Sequence, residues 1–259
     1  MISQLARLAN DCYHVLRGPG PAKTSVLRNL VFPGRRKMGF QVEHFDKATV
    51  QFLYREIFAR QYYHFVASTP SPTILDCGAN VGMASIYFKW LYPKSRVQAF
   101  EPDPSTFNLL QQNLQANHLD VEAHNCALWD ESGELDFHVD AGAPGSLLMS
   151  ADASRSKAGA IKVTARKLSD FIDGPVDFMK LDVEGAEHRV LKDLVASGKI
   201  KQIHQMAIEY HHRIGQQKSC MADFLGPLEN AGFEYQIHAS RFPIRSDNPF
   251  QDMLISATR

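Results

Sequence analysis

Thr73-Ile-Leu-Asp-Cys-Gly-Ala-Asn-Val-Gly82 is the stretch of this chain that decides its fold. It combines a short apolar strand, an acidic residue and a glycine-rich turn, and a helical pattern over residues 83–90 follows at once. Gly78 and Gly82 lack a Cβ, so the backbone there can turn tightly and lie close to a ligand. Strand, turn and helix in this order are typical of the ligand-binding edge of an α/β sheet.

Strand and helix patterns alternate along the chain after this stretch. Strands are predicted over 96–100, 121–126, 134–139, 161–164, 176–181 and 203–210, and helices over 104–117, 167–172, 186–196 and 221–231. This alternation predicts an α/β protein with a doubly wound, mostly parallel sheet and helices on both faces. The last two strands, 233–239 and 252–257, are predicted to form an antiparallel hairpin at the edge.

Two domains are predicted, with the boundary between the prolines Pro70 and Pro72. Residues 1–70 form an N-terminal helical cap, with helices over 2–17 and 56–65, and residues 71–259 form the main domain. Residues 140–160 are rich in Ala, Gly and Ser, and we expect them to form a mobile loop that closes over the substrate.

The composition narrows the partners and the location of the protein. The formal net charge of the 259 residues is zero, which gives no bulk field for binding nucleic acid. The four cysteines are widely spaced, which favours reduced thiols over a disulfide framework or a zinc site. The sequence contains no apolar run long enough to span a membrane and has a polar N-terminus. We therefore expect a soluble, cytoplasmic protein.

Asp76 distinguishes between two classes of cofactor. A carboxylate at the glycine turn would repel the pyrophosphate of a dinucleotide, but it would attract the cationic methionine end of S-adenosylmethionine. A nicotinamide-dependent oxidoreductase, the alternative class, predicts Gly-x-Gly-x-x-Gly, whereas this chain has Gly78-x-x-x-Gly82. The turn therefore favours S-adenosylmethionine as the cofactor.

Glu101 and the segment after the third strand complete the predicted cofactor site. Glu101 follows a strand about twenty residues after the glycine turn, a spacing at which a carboxylate accepts bonds from ribose hydroxyls. It precedes Pro102, which we place in the same site, and the alternative for Glu101 is a solvated carboxylate. Ala127 and Leu128 are candidates for the adenine wall, and Leu128 could equally be a core residue.

Charged residues cluster where the predicted central strand 176–181 ends. Alternation along a strand puts Lys180 and Asp182 on the same side, at the sheet edge where ligands bind. In the alternative interpretation Asp182 only caps the next helix, and Glu187 and His188 face solvent.

The end of the next strand carries a second group of titratable residues. We expect Glu209, His211 and His212 to lie beside Asp182 and Glu184. One of them could act as a general base. Two carboxylates and a histidine could also hold Mg²⁺ or Mn²⁺, although the sequence favours a site without a metal. Exposed histidines and a structural glutamate are the further alternative.

Together these motifs resemble the FkbM family of S-adenosylmethionine-dependent methyltransferases. The similarity rests on residues 74–82, on Ala99-Phe-Glu-Pro-Asp-Pro104 and on Ala127-Leu128. It also includes Lys180-Leu-Asp-Val-Glu-Gly-Ala-Glu187, the most family-specific piece, and Ile208-Glu209.

The resemblance implies a seven-stranded Rossmann-like sheet and O-methylation of a sugar, glycan, glycolipid or polyketide hydroxyl. It also implies roles for residues that match the motifs. Asp76, Gly78, Asn80 and Gly82 would surround the methionine end, and Glu101 would hold the ribose. Asp182 and Glu184 would face the reacting methyl. An N-methyltransferase and a cofactor-binding protein without turnover remain as alternatives.

Overall fold

A seven-stranded sheet forms the centre of the computed structural model, in the order β11-β12-β10-β9-β3-β4-β5. Neighbouring strands are parallel from β10 to β5, and β12 (Gln251–Thr258) runs antiparallel to both β10 (Ile203–His212) and β11 (Glu234–Ala239). The predicted doubly wound, mostly parallel α/β fold and the antiparallel terminal hairpin are therefore confirmed.

The structure describes residues 24–28, 39–138, 159–214, 221–239 and 250–259. For residues 24–28 only the backbone is considered. The remaining sheet strands are β3 (Thr73–Cys77), β4 (Arg96–Phe100), β5 (Glu122–His124) and β9 (Val176–Leu181). The helices are α1 (Lys47–Tyr54), α2 (Met83–Leu91), α3 (Pro104–Ala116), α4 (Glu187–Ala196) and α5 (Met221–Asn230). The predicted helix over 2–17 lies outside the described residues, as does nearly all of the predicted loop 140–160.

The order of the strands locates the ligand-binding edge. The chain proceeds outward from β3 to β4 and β5, and then returns to the other side of β3 to form β9. Ligands in open α/β sheets bind at such a reversal, beyond the carboxyl ends of the strands. The β3 and β9 ends are joined directly, because Asp182 N donates to Cys77 O at 3.0 Å.

Two short sheets flank the main one. β1 (Thr24–Arg28) and β2 (Gly39–Glu43) form an antiparallel pair. β6 (Ala127–Leu128), β7 (Gly133–His138) and β8 (Ala160–Arg166) form a three-stranded sheet in the order β6-β8-β7. Among the described residues, no helix is long and apolar enough to cross a membrane.

The helix predicted over residues 56–65 is wrong in its bounds. α1 begins at Lys47, because the Asp46 side chain accepts a 2.7 Å bond from Thr49 N and caps the helix. A π-helical turn, Arg55–Ala59, continues it, and the backbone then leaves the helix at Gln61, where φ is +57°. The Asp46-x-x-Thr49 cap was the signal in the sequence.

Aromatic side chains pack the N-terminal segment against one face of the main sheet. Phe65 stacks on Phe178 of β9 with ring centroids 4.3 Å apart, and Phe58 meets Tyr87 of α2 edge-on at 5.1 Å. The segment and the sheet therefore share one apolar cluster. The domain boundary at residue 70 remains a prediction.

Candidate functional site

A cavity of about 870 Å³, part of it at an open mouth, lies at the carboxyl ends of β3, β4 and β9. Its polar or charged lining residues are Tyr63, Asn80, Glu101, Lys180, Asp182 and Glu184. Apolar residues, including Ala127, Leu128, Leu135 and Phe137, cover another part of the wall. A mostly apolar cavity with a few convergent polar groups is the usual form of a small-molecule site.

The glycine turn after β3 adopts the conformation that its sequence requires. Gly78, Asn80 and Gly82 have φ values of +86°, +49° and +89°, in the left-handed region that glycine tolerates best. A Cβ on Gly78 would lie 1.7 Å from the Asp182 carbonyl oxygen. Gly78 and Asn80 line the cavity. Gly82 does not, and its Cα instead faces Leu110, whose Cδ1 would lie 2.6 Å from an added Cβ.

Asp76 lies below the cavity and does not line it. Its side chain is fully buried, accepts a 2.6 Å bond from Ser85 Oγ, and has Oδ1 3.7 Å from Lys180 Nζ. Burial raises the pKa of this carboxyl against the opposing effect of Lys180. The structure thus places Lys180 between Asp76 and the cavity, and direct contact of Asp76 with a cofactor remains a prediction.

Glu101 lines the cavity beside Pro102 at the end of β4. Its carboxylate accepts bonds from Asn80 N at 2.9 Å and Asp103 N at 3.0 Å, so the side chain is fixed from both sides. Burial raises its pKa to about 8, although these two bonds oppose the shift. The alternative of a solvated carboxylate is wrong, since Glu101 is only 5% exposed.

Ala127 and Leu128 lie at the cavity wall, and Leu128 has both of the roles that the sequence left open. They form the short strand β6, and both line the cavity. Leu128 also belongs to the main apolar core cluster. Phe137, on the neighbouring hairpin, extends this apolar wall, which is suited to an aromatic ring such as adenine.

Lys180 organises the opposite wall. Its ammonium donates to Gly78 O at 2.7 Å and lies 3.0 Å from Asp182 Oδ2, which confirms that Lys180 and Asp182 are on the same side. Although burial opposes the charged form, Asp182 and Asp76 raise the pKa of Lys180. Asp182 does not cap α4, because the N-cap of that helix is Ala186 and has no side-chain cap bond.

Glu187 was not predicted as a functional residue, and the prediction that it faces solvent is wrong. It is 1% exposed and accepts bonds from Gly185 N at 3.0 Å and from Val183 N at 3.3 Å. The same Oε1 lies 2.9 Å from His211 Nδ1. Glu187 therefore fixes both the turn after β9 and the His211 ring. Its place in the Glu-Gly-Ala-Glu stretch was a signal in the sequence.

His211 lies between two carboxylates. Its Nε2 is 3.2 Å from Glu184 Oε2, opposite the Nδ1 contact with Glu187. Burial disfavours the charged ring, but Glu187, Glu184 and Asp182 together raise its pKa to about 10. His211 thus holds its proton at neutral pH and cannot accept another until it gives that proton up.

Glu209 contacts the cavity through Tyr63, a residue that no motif in the sequence indicated. The Tyr63 hydroxyl, which lies at the cavity wall, donates to Glu209 Oε1. Burial and the charge of Asp182 raise the pKa of Glu209 to about 8. Glu209 itself does not line this cavity, nor does His211.

The His212 ring packs 5.6 Å from that of Tyr210, two residues earlier on β10. His211 and His212 are 8% and 7% exposed, so the alternative of two exposed histidines is wrong.

Two groups of side chains in the described residues have the spacing of metal ligands: Asp182, Glu184 and His211, and Glu209, His211 and Asp252. Two cationic side chains offset part of this negative charge. Lys180 is 3.0 Å from Asp182, and both ring nitrogens of His211 face glutamates. A site without metal remains a prediction.

Known proteins resemble this chain over the same region. The methyltransferase FkbM domain matches residues 76–235. Methyltransferase sdnD of Sordaria araneosa is 34% identical over an alignment of 180 residues, which covers 57% of this chain and 70% of sdnD. The 31-O-demethyl-FK506 methyltransferase FkbM of Streptomyces tacrolimicus is 30% identical over an alignment of 206 residues, which covers 67% of this chain and 79% of that protein.

Among solved structures, an FkbM methyltransferase from Methylobacillus flagellatus aligns with a TM-score of 0.49 and 19% identity. The alignment covers 79% of this chain and 47% of that one. The family match spans more than half of the chain and includes both the glycine turn and the charged end of β9. This family match excludes the alternative of a nicotinamide-dependent oxidoreductase. The chain belongs to the FkbM family of methyltransferases.

Proposed function

We propose that this protein is an S-adenosylmethionine-dependent O-methyltransferase that acts on a hydroxyl of a sugar, glycan, glycolipid or polyketide-type natural product. The observation that carries the proposal is the cavity at the strand ends, which has Glu101 on one side and the Lys180–Asp182 pair on the other. The name of the Streptomyces relative, a 31-O-demethyl-FK506 methyltransferase, supports oxygen as the acceptor atom.

The lining residues fit an adenosyl cofactor. Gly78 lines the cavity and has no side chain, so a ligand can lie against its main chain. Glu101 would accept bonds from the ribose hydroxyls, and Pro102, Ala127 and Leu128 would cover the adenine. Asp182 and the turn at Asn80 would hold the methionine end, with Asp76 acting through Lys180.

S-adenosylmethionine, when bound, supplies a methyl group activated by a sulfonium. The protein then has to align the acceptor hydroxyl and accept its proton, because a protonated alcohol is a poor nucleophile. The candidate bases from the sequence are Asp182, Glu184, Glu209 and His211. Of these, Asp182 and Glu184 line the cavity, whereas Glu209 contacts it only through Tyr63 and His211 already holds a proton.

Titration calorimetry and thermal shift test the cofactor. We expect S-adenosylmethionine and S-adenosylhomocysteine to bind and stabilise the protein, and NAD to do neither. Glu101→Ala should weaken S-adenosylhomocysteine at least about tenfold, the loss of one charge-assisted bond. Glu122→Ala, an exposed carboxylate on neighbouring β5, is the matched control. Stabilisation by NAD alone would overturn the proposal.

Transfer of a labelled methyl group tests the acceptor atom. The protein is incubated with methyl-tritiated S-adenosylmethionine and a panel of methyl glycosides, hydroxylated macrolides and amines. We expect label in an ether product. Label only in an amine would instead support the N-methyltransferase alternative, and binding without any transfer would support a protein without turnover. The cytoplasmic location and the absence of a nucleic-acid partner remain predictions.

A further inference from the structure

Tyr63 brings a phenol from the N-terminal segment to the cavity at the strand ends. It lines that cavity, and its hydroxyl donates to Oε1 of Glu209 on β10. Lys180 Nζ lies 5.3 Å from the centre of the Tyr63 ring. Tyr63 is therefore at the same end of the cavity as the Lys180–Asp182 pair. The proposed function places the methionine end of the cofactor, and so the reacting methyl, at this end.

Glu209, the partner of Tyr63, lines a second cavity instead. Among the described residues, none lines both cavities, and the Tyr63–Glu209 hydrogen bond connects one to the other. Phe52 and Asp252 in the lining of the second cavity are exposed, so this cavity opens to solvent. Its charged lining residues are Glu56, Arg60, Glu209 and Asp252. The hydrogen bond is thus a polar connection from the first cavity towards solvent.

We propose that Tyr63 and Glu209 form the proton relay of the methyl transfer. Tyr63 contacts the acceptor hydroxyl and takes its proton, and Glu209 receives the proton of Tyr63 and releases it through the second cavity. This inference rests on the proposed function and deepens it, because it adds Tyr63 as a catalytic residue and makes Glu209 the group that acts through it.

The step balances without a further reactant. As the acceptor oxygen bonds to the methyl carbon, the carbon–sulfur bond breaks and its electron pair stays on sulfur, which becomes neutral. The acceptor O–H bond breaks as well. Its proton passes to the Tyr63 oxygen while the Tyr63 proton moves to Glu209 Oε1, so Tyr63 is neutral before and after the step. Burial and the charge of Glu209 raise the pKa of Tyr63 well above its ordinary value, and the relay avoids an ionised phenol.

The two candidate bases that line the first cavity each compensate a cation. Asp182 Oδ2 is 3.0 Å from Lys180 Nζ, and Glu184 Oε2 is 3.2 Å from Nε2 of His211. Protonation of either carboxylate would leave a buried cation with less compensating charge, which is costly. A base that can take a proton without breaking such a pair is therefore preferable.

Glu209 meets this requirement, because its recorded partner is a neutral phenol. A protonated Glu209 can still form a hydrogen bond with Tyr63. Burial and the charge of Asp182 raise the pKa of Glu209 to about 8, which suits a proton acceptor near neutral pH. The other titratable groups around the pair are Asp76, Lys180, His211 and Asp252.

Infrared difference spectroscopy tests the pair without any acceptor. The full chain is loaded with S-adenosylhomocysteine, and its protonated carboxyl groups are followed as the pH rises. Glu209→Gln should remove one titration with a midpoint near pH 8. Tyr63→Phe should move that titration to higher pH, because the Tyr63 bond favours the charged carboxylate. A Glu209 titration that Tyr63→Phe leaves in place would overturn the relay.

Tyr235→Phe is the matched control. Tyr235 donates to Glu229 Oε1 at 2.6 Å, so it forms the same kind of tyrosine–glutamate bond, but neither residue lines either cavity. This variant should keep the wild-type titration near pH 8 and the wild-type rate of methyl transfer.

Methyl transfer to the acceptor panel described above tests the step itself. Tyr63→Phe and Glu209→Gln should each lower kcat at least about a hundredfold, the usual size of general-base catalysis. The double variant should be no slower than either single one, because the two groups act as a unit. In the wild-type protein kcat should rise as the pH increases towards 8, since Glu209 must be ionised to accept the proton, and Glu209→Gln should abolish this rise.

Binding of S-adenosylhomocysteine, measured first in every variant, separates the possible failures. Transfer to none of the acceptors would refute the proposed function, and the relay with it. Transfer at the wild-type rate in both variants would refute the relay alone. Loss of the pH dependence in Asp182→Asn or Glu184→Gln, but not in Glu209→Gln, would assign the base to a carboxylate that lines the cavity. If Tyr63→Phe no longer bound the nucleoside, its fold would be damaged and Glu209→Gln would decide.

Discussion

Replacement of Lys180 by Met should destabilise the protein strongly and in a pH-dependent way. The Lys180 side chain is 4% exposed and faces two carboxylates, of which Asp76 is fully buried. Removal of one partner of a buried ion pair costs about 3–5 kcal/mol, because the other charge remains without compensation. For a chain of this length, this corresponds to a fall of about 6–20 °C in the melting temperature.

The pH dependence follows from Asp76. Burial already raises the pKa of Asp76 in the wild-type protein, and loss of the Lys180 charge raises it further. A group whose folded pKa is raised destabilises the protein increasingly as the pH rises from its unfolded pKa to its folded pKa. The deficit of Lys180→Met should therefore be larger at pH 8 than at pH 5.

Urea unfolding at the two pH values measures this deficit, and two further variants make the result specific. Lys192→Met removes an ion pair with Asp130 whose lysine side chain is 65% exposed, and it should cost at most about 1 kcal/mol. Asp76→Asn combined with Lys180→Met should recover part of the stability that Lys180→Met loses, and it should remove most of the pH dependence of that loss. A loss in Lys180→Met no larger than in Lys192→Met, or one that does not change with pH, would refute the reasoning.

Three further predictions concern the same site. Gly78→Ala should lose both stability and S-adenosylhomocysteine binding, because its Cβ would lie 1.7 Å from the Asp182 carbonyl oxygen. Gly174→Ala is the control: its Cβ would meet no atom within 4 Å, so this variant should retain both. Thermal melting measures the stability and calorimetry measures the binding. Because the pKa of Glu101 is about 8, the affinity for S-adenosylhomocysteine should rise as the pH increases from 6 towards 8, by up to about tenfold per unit. Glu101→Gln should flatten that profile, and parallel profiles of variant and wild type would contradict the assignment. His211 has a pKa raised to about 10, so its charged form stabilises the fold fully below about pH 6.5, and this contribution is lost as the pH rises to about 10. The stability difference between wild type and His211→Asn in urea should shrink over that interval, and a constant difference would argue against the charged ring.

The sequence alone determined the wound sheet and the position of its ligand-binding edge. These features depend on local signals: the strand, glycine turn and helix at residues 73–91 follow from apolar periodicity and from backbone conformations that favour glycine. The same-side placement of Lys180 and Asp182 follows from strand alternation, and the structure confirms it at 3.0 Å. The position of Glu101 at the end of β4 was likewise predicted, from its spacing to the glycine turn.

Only the tertiary structure decided which charged side chains of the site contact each other. The buried Asp76 faces Lys180, which lines the cavity, and Glu187, which was expected in solvent, holds His211. Tyr63 and Glu209 are far apart in the chain, yet they form a hydrogen bond beside the cavity that Tyr63 lines. No local pattern encodes such pairs, because burial and the sign of a neighbouring charge are set by elements that meet only on folding. The same two factors determine which candidate base is free to accept a proton.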